Sequence, residues 1–177
     1  MSLERLAELL RERNRISSEI ATLIGRPALS SHIGEYIASK IFDIALYESA
    51  THKGADSQFR SGPLRGKTVN VKLYGKKEGL LDINHAPADY YLVLTGPDSP
   101  PTSSHGADRP LTIEQAFIFN MGNLLNELHG RGVKIGVATS VKKDDWEKAM
   151  IYPHPRNKEY QLSPEQNKLI ELFHREI

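Results

Sequence analysis

The stretch Thr68-Val69-Asn70-Val71-Lys72-Leu73 alternates polar and apolar side chains. Such alternation is typical of a β-strand, in which the side chains of residues i and i+2 point to the same face. Asn70 and Lys72 are therefore predicted to project together from one face, while the two valines and Leu73 enter the opposite side. The strand thus presents an amide oxygen and an ammonium group side by side.

Helical patterns lie on both sides of this strand. Leucines and isoleucines recur close to helical spacing over residues 2–24, and Gly25-Arg26-Pro27 ends that segment. Ser30 or Ser31 can cap a second helix, whose apolar stripe is Ile33, Ile37, Ile41 and Ile44. Near the C-terminus, Ser163-Pro164-Glu165-Gln166 is a capping box with proline at the first helical position, and an apolar helical face follows it.

The remaining segments predict more strands than helices. Tyr91-Leu92-Val93-Leu94 is an apolar run typical of a strand covered on both faces. An irregular strand carrying Asp56 is predicted at residues 47–59, and further strands at 89–95, 113–119 and 133–140. Short helices are predicted at 122–129 and 144–150, and a long surface loop at 96–110. This order predicts an α/β fold with a central mixed sheet flanked by helices.

Length and composition limit the class of protein. The chain of 177 residues fits one domain, which we divide into an N-terminal helical extension (1–30), a core (31–150) and a C-terminal helix (151–177). A net charge of +1 does not by itself indicate a nucleic-acid-binding protein. The chain contains no cysteine, which excludes disulfides, thiolate metal sites and cysteine nucleophiles and fits a reducing cytoplasm. No apolar run approaches the roughly 20 residues that span a bilayer, so we expect no membrane partner.

Several common enzyme motifs are absent from the sequence. It has no HExxH zinc motif, no His-x-His pair and no Gly-x-Ser-x-Gly nucleophile elbow. The Gly-Lys-Thr at residues 66–68 lacks the first glycine at Walker spacing and precedes a strand rather than a helix. Trp146 is predicted simply to pack into the core.

A carboxylate, an amide oxygen and a lysine in the order Asp56, Asn70, Lys72 suit the binding of a divalent ion against a phosphodiester. Structural alternatives stay open for each residue. An aspartate in a glycine-rich loop often bonds the local backbone, and an Asn-x-Lys pair is often only the polar face of a strand. Glu35 suits the first turns of a helix because of the helix dipole. The basic clusters Arg11, Arg13, Arg15 and Lys67, Lys72, Lys76, Lys77 are either phosphate contacts or a solvated face.

From about Ser31 to Leu94 the chain resembles the PD-(D/E)XK superfamily. The resemblance rests on the order of a helix with Gly34-Glu35-Tyr36, then Gly54-Ala55-Asp56, a turn, and a strand with Asn70-Val71-Lys72. It implies a restriction-endonuclease-like core, with the rest of the chain supplying later strands and helices.

The resemblance also implies roles for four residues. Asp56 matches the first motif carboxylate, a Mg²⁺ ligand, and Glu35 matches the helix glutamate that many members add to the metal site. Lys72 matches the motif lysine, which orients the attacking water and stabilises developing negative charge. Asn70 replaces the second acid, so the expected catalytic set is Asp56, Glu35, Asn70 and Lys72, with the first three as metal ligands. An amide brings no charge, so we expect weak affinity of the unliganded protein for Mg²⁺ or its substitute Mn²⁺.

The implied function is a metal-dependent endonuclease that hydrolyses DNA, in restriction or repair. The alternative is a noncatalytic nucleic-acid-binding or assembly module with a decayed nuclease site, and a purely structural domain is a third reading. The expected partners are DNA and a second copy of the chain, paired through the amphipathic N-terminal helices.

Overall fold

The computed structural model describes residues 2–47, 57–84, 87–98 and 110–175. Its elements in chain order are α1 (Leu3–Ile24), α2 (Ser30–Ile41), β1 (Ile44–Leu46), β2 (Ser57–Phe59), β3 (Thr68–Tyr74), β4 (Leu80–Leu81), β5 (Tyr90–Thr95), β6 (Gln115–Asn120), α3 (Met121–Gly130), β7 (Thr139–Ser140), α4 (Lys143–Ala149), β8 (Met150–Tyr152) and α5 (Pro164–Glu171).

A mixed sheet forms the centre of the fold, with strand order β1-β2-β3-β5-β6-β8. Only the β3–β5 pair is parallel, and its register runs from Val69 opposite Tyr90 to Tyr74 opposite Thr95. All six residues of β5 are buried, which confirms the prediction of a strand covered on both faces. The predicted α/β class, with a mixed sheet flanked by helices, is confirmed.

Two apolar clusters cover the two faces of the sheet. The first joins Val69, Val71 and Leu73 of β3 to residues of α2 and α5. The second joins alternate residues of β5 and β6 to residues of α3 and α4, among them Trp146. Because β3 contributes its valines and Leu73 to the first cluster, its Asn70 and Lys72 belong to the other face, as the alternation predicts.

Helix α1 forms the N-terminal extension and carries no buried residue. Ser2 caps its first turn, and Gly25 ends it with a left-handed φ of 71°. Large apolar side chains remain exposed along it, namely Leu3, Leu6, Leu9, Leu10, Ile16 and Leu23. An exposed amphipathic helix of this kind is compatible with pairing of two copies, and that pairing stays a prediction. Among the described residues, no helix combines the length and apolarity needed to cross a bilayer.

Helix α2 packs closely on the central strand because of one glycine. A Cβ placed on Gly34 would lie 2.7 Å from the Cβ of Leu73, so any side chain at this position would push the helix off β3. The predicted stripe is correct at Ile37 and Ile41, which are buried. It is wrong at Ile44, which lies in β1, because the helix ends at Ile41 and the chain turns through Asp43 with a left-handed φ of 50°.

The predicted capping box of α5 is confirmed. The Ser163 hydroxyl accepts the backbone N–H of Gln166 at 3.2 Å, and the Gln166 side chain accepts the Ser163 N–H at 2.9 Å. The Gln166 amide also donates to the Ile41 carbonyl at 2.8 Å, which ties α5 to the end of α2. The sheet, however, extends past residue 150 through β8, so residues 151–177 are not only a C-terminal helix.

The strand predicted at 133–140 is largely wrong. Only Thr139 and Ser140 are in a strand, β7, which pairs with β4 in a separate two-stranded sheet. The Thr139 hydroxyl accepts the Gly136 N–H at 2.9 Å and donates to the Gly136 carbonyl at 2.8 Å, while Ala138 adopts a left-handed φ of 56°. These local bonds compete with strand pairing and close a turn. Of the strand predicted at 47–59, residues 57–59 form β2 and residues 48–56 lie outside the described residues, as does most of the predicted loop at 96–110.

Asn157 fastens the chain that follows β8 to the sheet. Its side-chain amide donates to the Ile118 carbonyl at 2.9 Å, and its oxygen accepts the N–H groups of Glu159 and Tyr160 at 2.8 and 3.0 Å. We expect Asn157→Ala to lower the free energy of unfolding by about 2–3 kcal/mol, because it leaves the backbone groups of Ile118, Glu159 and Tyr160 without their hydrogen-bond partner. Urea denaturation measures the loss. Asn126→Ala on the exposed side of α3 is the matched control and should change stability by less than about 0.5 kcal/mol. An equal change in both variants would contradict this role for Asn157.

Candidate active site

The candidate site is built on β3, the strand shared by the antiparallel and parallel parts of the sheet. Asn70 lies opposite Tyr91 of β5, and Lys72 lies opposite Val93. Both β5 residues belong to the second apolar cluster, so the amide and the ammonium group share that face. The structure therefore brings together two of the four predicted site residues.

Asn70 is almost completely buried, with 2% of its surface exposed. An amide oxygen at this depth is a hard ligand of the kind Mg²⁺ accepts. It can contact an ion or a phosphate only if that group enters below the surface of the protein. The burial therefore makes Asn70 an inner rather than a peripheral member of any site here.

Lys72 is held by an aromatic ring. Its ammonium lies 5.6 Å from the ring centroid of Tyr91, which is fully buried. The Tyr91 hydroxyl in turn accepts the backbone N–H of Asn84 at 3.0 Å, so the ring is fixed at its far end. A cation–π contact places an ammonium while leaving its N–H donors available to an anion. Tyr91 was predicted only as part of a strand, and its contact with Lys72 depends on a register that the sequence does not reveal.

Glu35 lies on α2, which packs on the opposite face of the sheet. Its carboxylate forms an ion pair with Arg26, and its side chain is 12% exposed. The described contacts therefore do not bring Glu35 together with Asn70 and Lys72. Its role as a metal ligand stays a prediction and would require it to exchange its contact with Arg26.

Asp56 lies outside the described residues, but its neighbour Ser57 is the first residue of β2. Ser57 pairs with Val69, the residue before Asn70, and its buried hydroxyl donates to the Val69 carbonyl at 2.9 Å. Among the described residues, no group of three or more histidine, aspartate or glutamate side chains is placed to hold a metal ion. A metal site at β3 therefore depends on Asp56.

A carboxylate that the sequence reasoning missed lies near the C-terminal end of β3. Tyr74 follows Lys72 on the same face by strand alternation, and its hydroxyl lies 3.4 Å from the carboxylate of Asp82. Asp82 also accepts the N–H of Ala138 at 2.8 Å. Burial raises the pKa of the Tyr74 hydroxyl, and the Asp82 carboxylate adds to the effect. These residues line a cavity of about 330 Å³ at the end of the strand.

A second cleft, of about 200 Å³, lies between α3, α4 and the end of β6. Its carboxylates already have partners within the protein. Glu159 accepts the Tyr90 hydroxyl at 2.7 Å, and burial together with Glu159 raises the pKa of Tyr90 to about 12. Glu127 and Asp145 form ion pairs with Lys142 and Arg131. The carboxylates of this cleft therefore take part in contacts that join α3 to α4, and the chain after β8 to the sheet.

The chain matches no protein-family model, and no curated protein matches it.

Proposed function

We propose that the chain is a metal-dependent endonuclease of the PD-(D/E)XK type that hydrolyses phosphodiester bonds of DNA. The observation that carries the proposal is the position of Asn70 and Lys72 on one face of β3, beside the strand that begins directly after Asp56. The order of α2, three antiparallel strands and the parallel β5 supports the restriction-endonuclease-like core that the resemblance implies. The lack of cysteine fits a cytoplasmic location, which we propose as well.

Mg²⁺ binds through one or two carboxylates together with substrate phosphate and water, and the Asp56 carboxylate with the Asn70 amide oxygen would supply a donor set of this kind. Asp56 and Asn70 would hold the ion, and the bound ion would supply Lewis acidity to the phosphoryl oxygen. Glu35 would join them only if it gave up its ion pair with Arg26 and reached the face of the sheet that carries Asn70. Lys72, held by Tyr91, would orient the attacking water by donating a hydrogen bond to its oxygen, and would stabilise the negative charge that develops on the phosphoryl oxygens. The burial of Asn70 keeps bulk water away from the inner side of the site.

A noncatalytic DNA-binding or assembly module is the second candidate. The ion pair between Glu35 and Arg26 favours it, because a carboxylate neutralised within the protein is a poor metal ligand. This candidate predicts DNA retention that weakens with salt and no cleavage in any metal. The nuclease proposal predicts nicking that requires a divalent ion.

The test is nicking of supercoiled DNA in Mg²⁺ or Mn²⁺, with EDTA as the negative condition. We expect Asn70→Asp to raise the nicking rate about tenfold, because a second carboxylate adds charge to the metal site. The same substitution should make Mn²⁺ stabilise the protein, by about 1.4 kcal/mol at ten times the dissociation constant. Thermal unfolding with and without Mn²⁺ reads this effect independently of activity.

Asn126→Asp, on the exposed side of α3, is the matched control and should change neither readout. Wild-type protein that retains DNA but never nicks it, together with an Asn70→Asp variant that Mn²⁺ does not stabilise, would favour the noncatalytic module and overturn the nuclease proposal.

A further inference from the structure

The turn between β2 and β3 carries an unbalanced positive charge. Residues 60–67, here termed the cationic turn, contain Arg60, Arg65 and Lys67 and no acidic residue. All three side chains are exposed. None of the ion pairs among the described residues includes any of them, whereas Arg5, Arg15, Arg26, Lys76 and Lys77 all have carboxylate partners. The charge of this turn therefore faces solvent.

The backbone of the cationic turn is held in place. Leu64, at its centre, is buried in the first apolar cluster. The N–H of Arg60 donates to the Asp43 carbonyl at 2.9 Å, and the N–H of Gly66 donates to the Phe59 carbonyl at 2.9 Å. A ligand that binds the arginines consequently does not have to order the backbone first, which lowers the entropic cost of binding.

The cationic turn leads directly into the strand of the candidate site. Lys67 precedes Asn70 by three residues and Lys72 by five. At about 3.3 Å per residue, these intervals correspond to roughly 10 and 17 Å along the strand. Phosphates follow one another at about 3.4 Å along the axis of a DNA strand, so the same duplex spans both features within about three to five steps.

An acidic side chain, Asp89, interacts with the Lys67 end of the turn. The Asp89 carboxylate accepts the N–H and the hydroxyl of Thr68, both at 2.9 Å. The Thr68 N–H lowers the pKa of Asp89, and the Thr68 hydroxyl and the charge of Lys67 lower it further. The charge of Lys67 is therefore partly offset by the Asp89 carboxylate, and Arg60 and Arg65 are the main cations of the turn.

We propose that the cationic turn binds the phosphate backbone of the DNA that the candidate site acts on, with Arg60 and Arg65 as the principal contacts. This inference rests on the proposed function for the identity of the ligand. The arginines of α1 are the competing surface, but α1 also contains Glu4, Glu8, Glu12 and Glu19 and so has no net charge. The cationic turn contains three basic residues and no acidic one, so it keeps a net positive charge although Asp89 offsets part of the charge of Lys67.

The experiment is fluorescence anisotropy of a labelled 30-base-pair duplex with metal-free protein in EDTA, at several salt concentrations. The double variant Arg60→Gln, Arg65→Gln should raise Kd roughly tenfold at 0.1 M salt. It should also lower the slope of log Kd against log salt by about 1.8, or about 0.9 for each lost phosphate contact. The control pair Lys158→Gln, Lys168→Gln removes two exposed cations elsewhere and should leave Kd and slope unchanged.

Two outcomes would overturn the inference: an unchanged slope in the turn variant, or an equal loss in the control pair or in Arg11→Gln, Arg13→Gln. Failure of the inference is distinguishable from failure of the proposed function. If the wild-type protein nicks DNA and the turn variant binds DNA as tightly as the wild type, the inference is wrong and the proposed function stands. If the turn variant loses DNA binding but neither the wild type nor any variant nicks DNA, the nuclease proposal is wrong and the DNA-binding role of the turn stands.

Discussion

Trp146→Ala is expected to lower the free energy of unfolding by about 3–5 kcal/mol, a large part of the stability of an ordinary domain. The indole is 1% exposed and packs edge-on against two rings of β6, at 4.8 Å from Phe117 and 5.0 Å from Phe119. The Lys77 ammonium lies 5.8 Å from the same indole. Truncation removes these contacts and leaves a cavity between α4 and the sheet.

Urea denaturation followed by circular dichroism is the appropriate measurement, since Trp146 is the single tryptophan and its loss removes the fluorescence signal. Trp146→Phe keeps part of the aromatic contact and should cost less than half as much. Leu172→Ala, at a side chain 73% exposed, is the control and should change stability by less than about 0.5 kcal/mol. A loss below about 1 kcal/mol in Trp146→Ala would contradict the packing of α4 on β6.

Trp146 also shows what the sequence could predict. Its burial was predicted from a tryptophan on a short helix, and the prediction is confirmed. The alternation of β3, the apolar run of β5 and the capping box of α5 are equally local signals, and each predicted its element. In all of these cases the sequence signal that predicts the element lies within a few consecutive residues.

The errors have two physical causes, which are pairing between distant segments and local side-chain hydrogen bonds that close a turn. Strand β8 begins at Met150, where a helix was predicted, because β6 supplies its hydrogen-bonding partners. At residues 133–138, β-branched residues suggested a strand, but hydrogen bonds of Thr139 close a turn instead. Propensity is a weak guide wherever such contacts compete with it.

In the candidate site, too, features set by local sequence could be predicted and features set by distant contacts could not. The shared face of Asn70 and Lys72 could be predicted, since it depends only on the period of a strand. The ring of Tyr91 beneath Lys72 could not, since it depends on the parallel register of β3 and β5. The ion pair of Glu35 with Arg26 was also missed, although Arg26 lies only nine residues away in the chain. The ion pair could not be predicted because it depends on how the chain bends around Pro27 between α1 and α2, which the sequence does not reveal.

Lys72→Met is expected to reduce the rate of metal-dependent nicking at least a hundredfold. The ammonium would stabilise charge that develops in the transition state, and removing one such group typically costs about 10²–10³ in rate. Methionine keeps an unbranched side chain over the Tyr91 ring, so the fold should survive the change. Asp56→Asn is expected to have an effect of similar size, because it removes a carboxylate on which the metal site depends.

Single-turnover nicking of supercoiled DNA in Mn²⁺ and in Mg²⁺ measures both losses without interference from product release. Lys168→Met and Asp144→Asn change the same residue types at exposed positions of α5 and α4, and both should nick at the wild-type rate. Activity that persists in Lys72→Met and Asp56→Asn would show that any cleavage arises elsewhere or from a contaminant. Wild-type DNA binding by both variants, measured in EDTA, separates loss of chemistry from loss of substrate.

Tyr91 makes the same prediction more specific. Tyr91→Leu leaves Lys72 in place but removes the ring that positions its ammonium, so we expect a smaller loss of rate, about tenfold, with metal dependence retained. Tyr91→Phe keeps the ring and removes the hydroxyl that accepts the Asn84 N–H, so the nicking rate should stay within about threefold of wild type. Because a purely structural role of Tyr91 would lower stability and rate together in both variants, thermal unfolding of each protein distinguishes positioning of the lysine from general damage to the core.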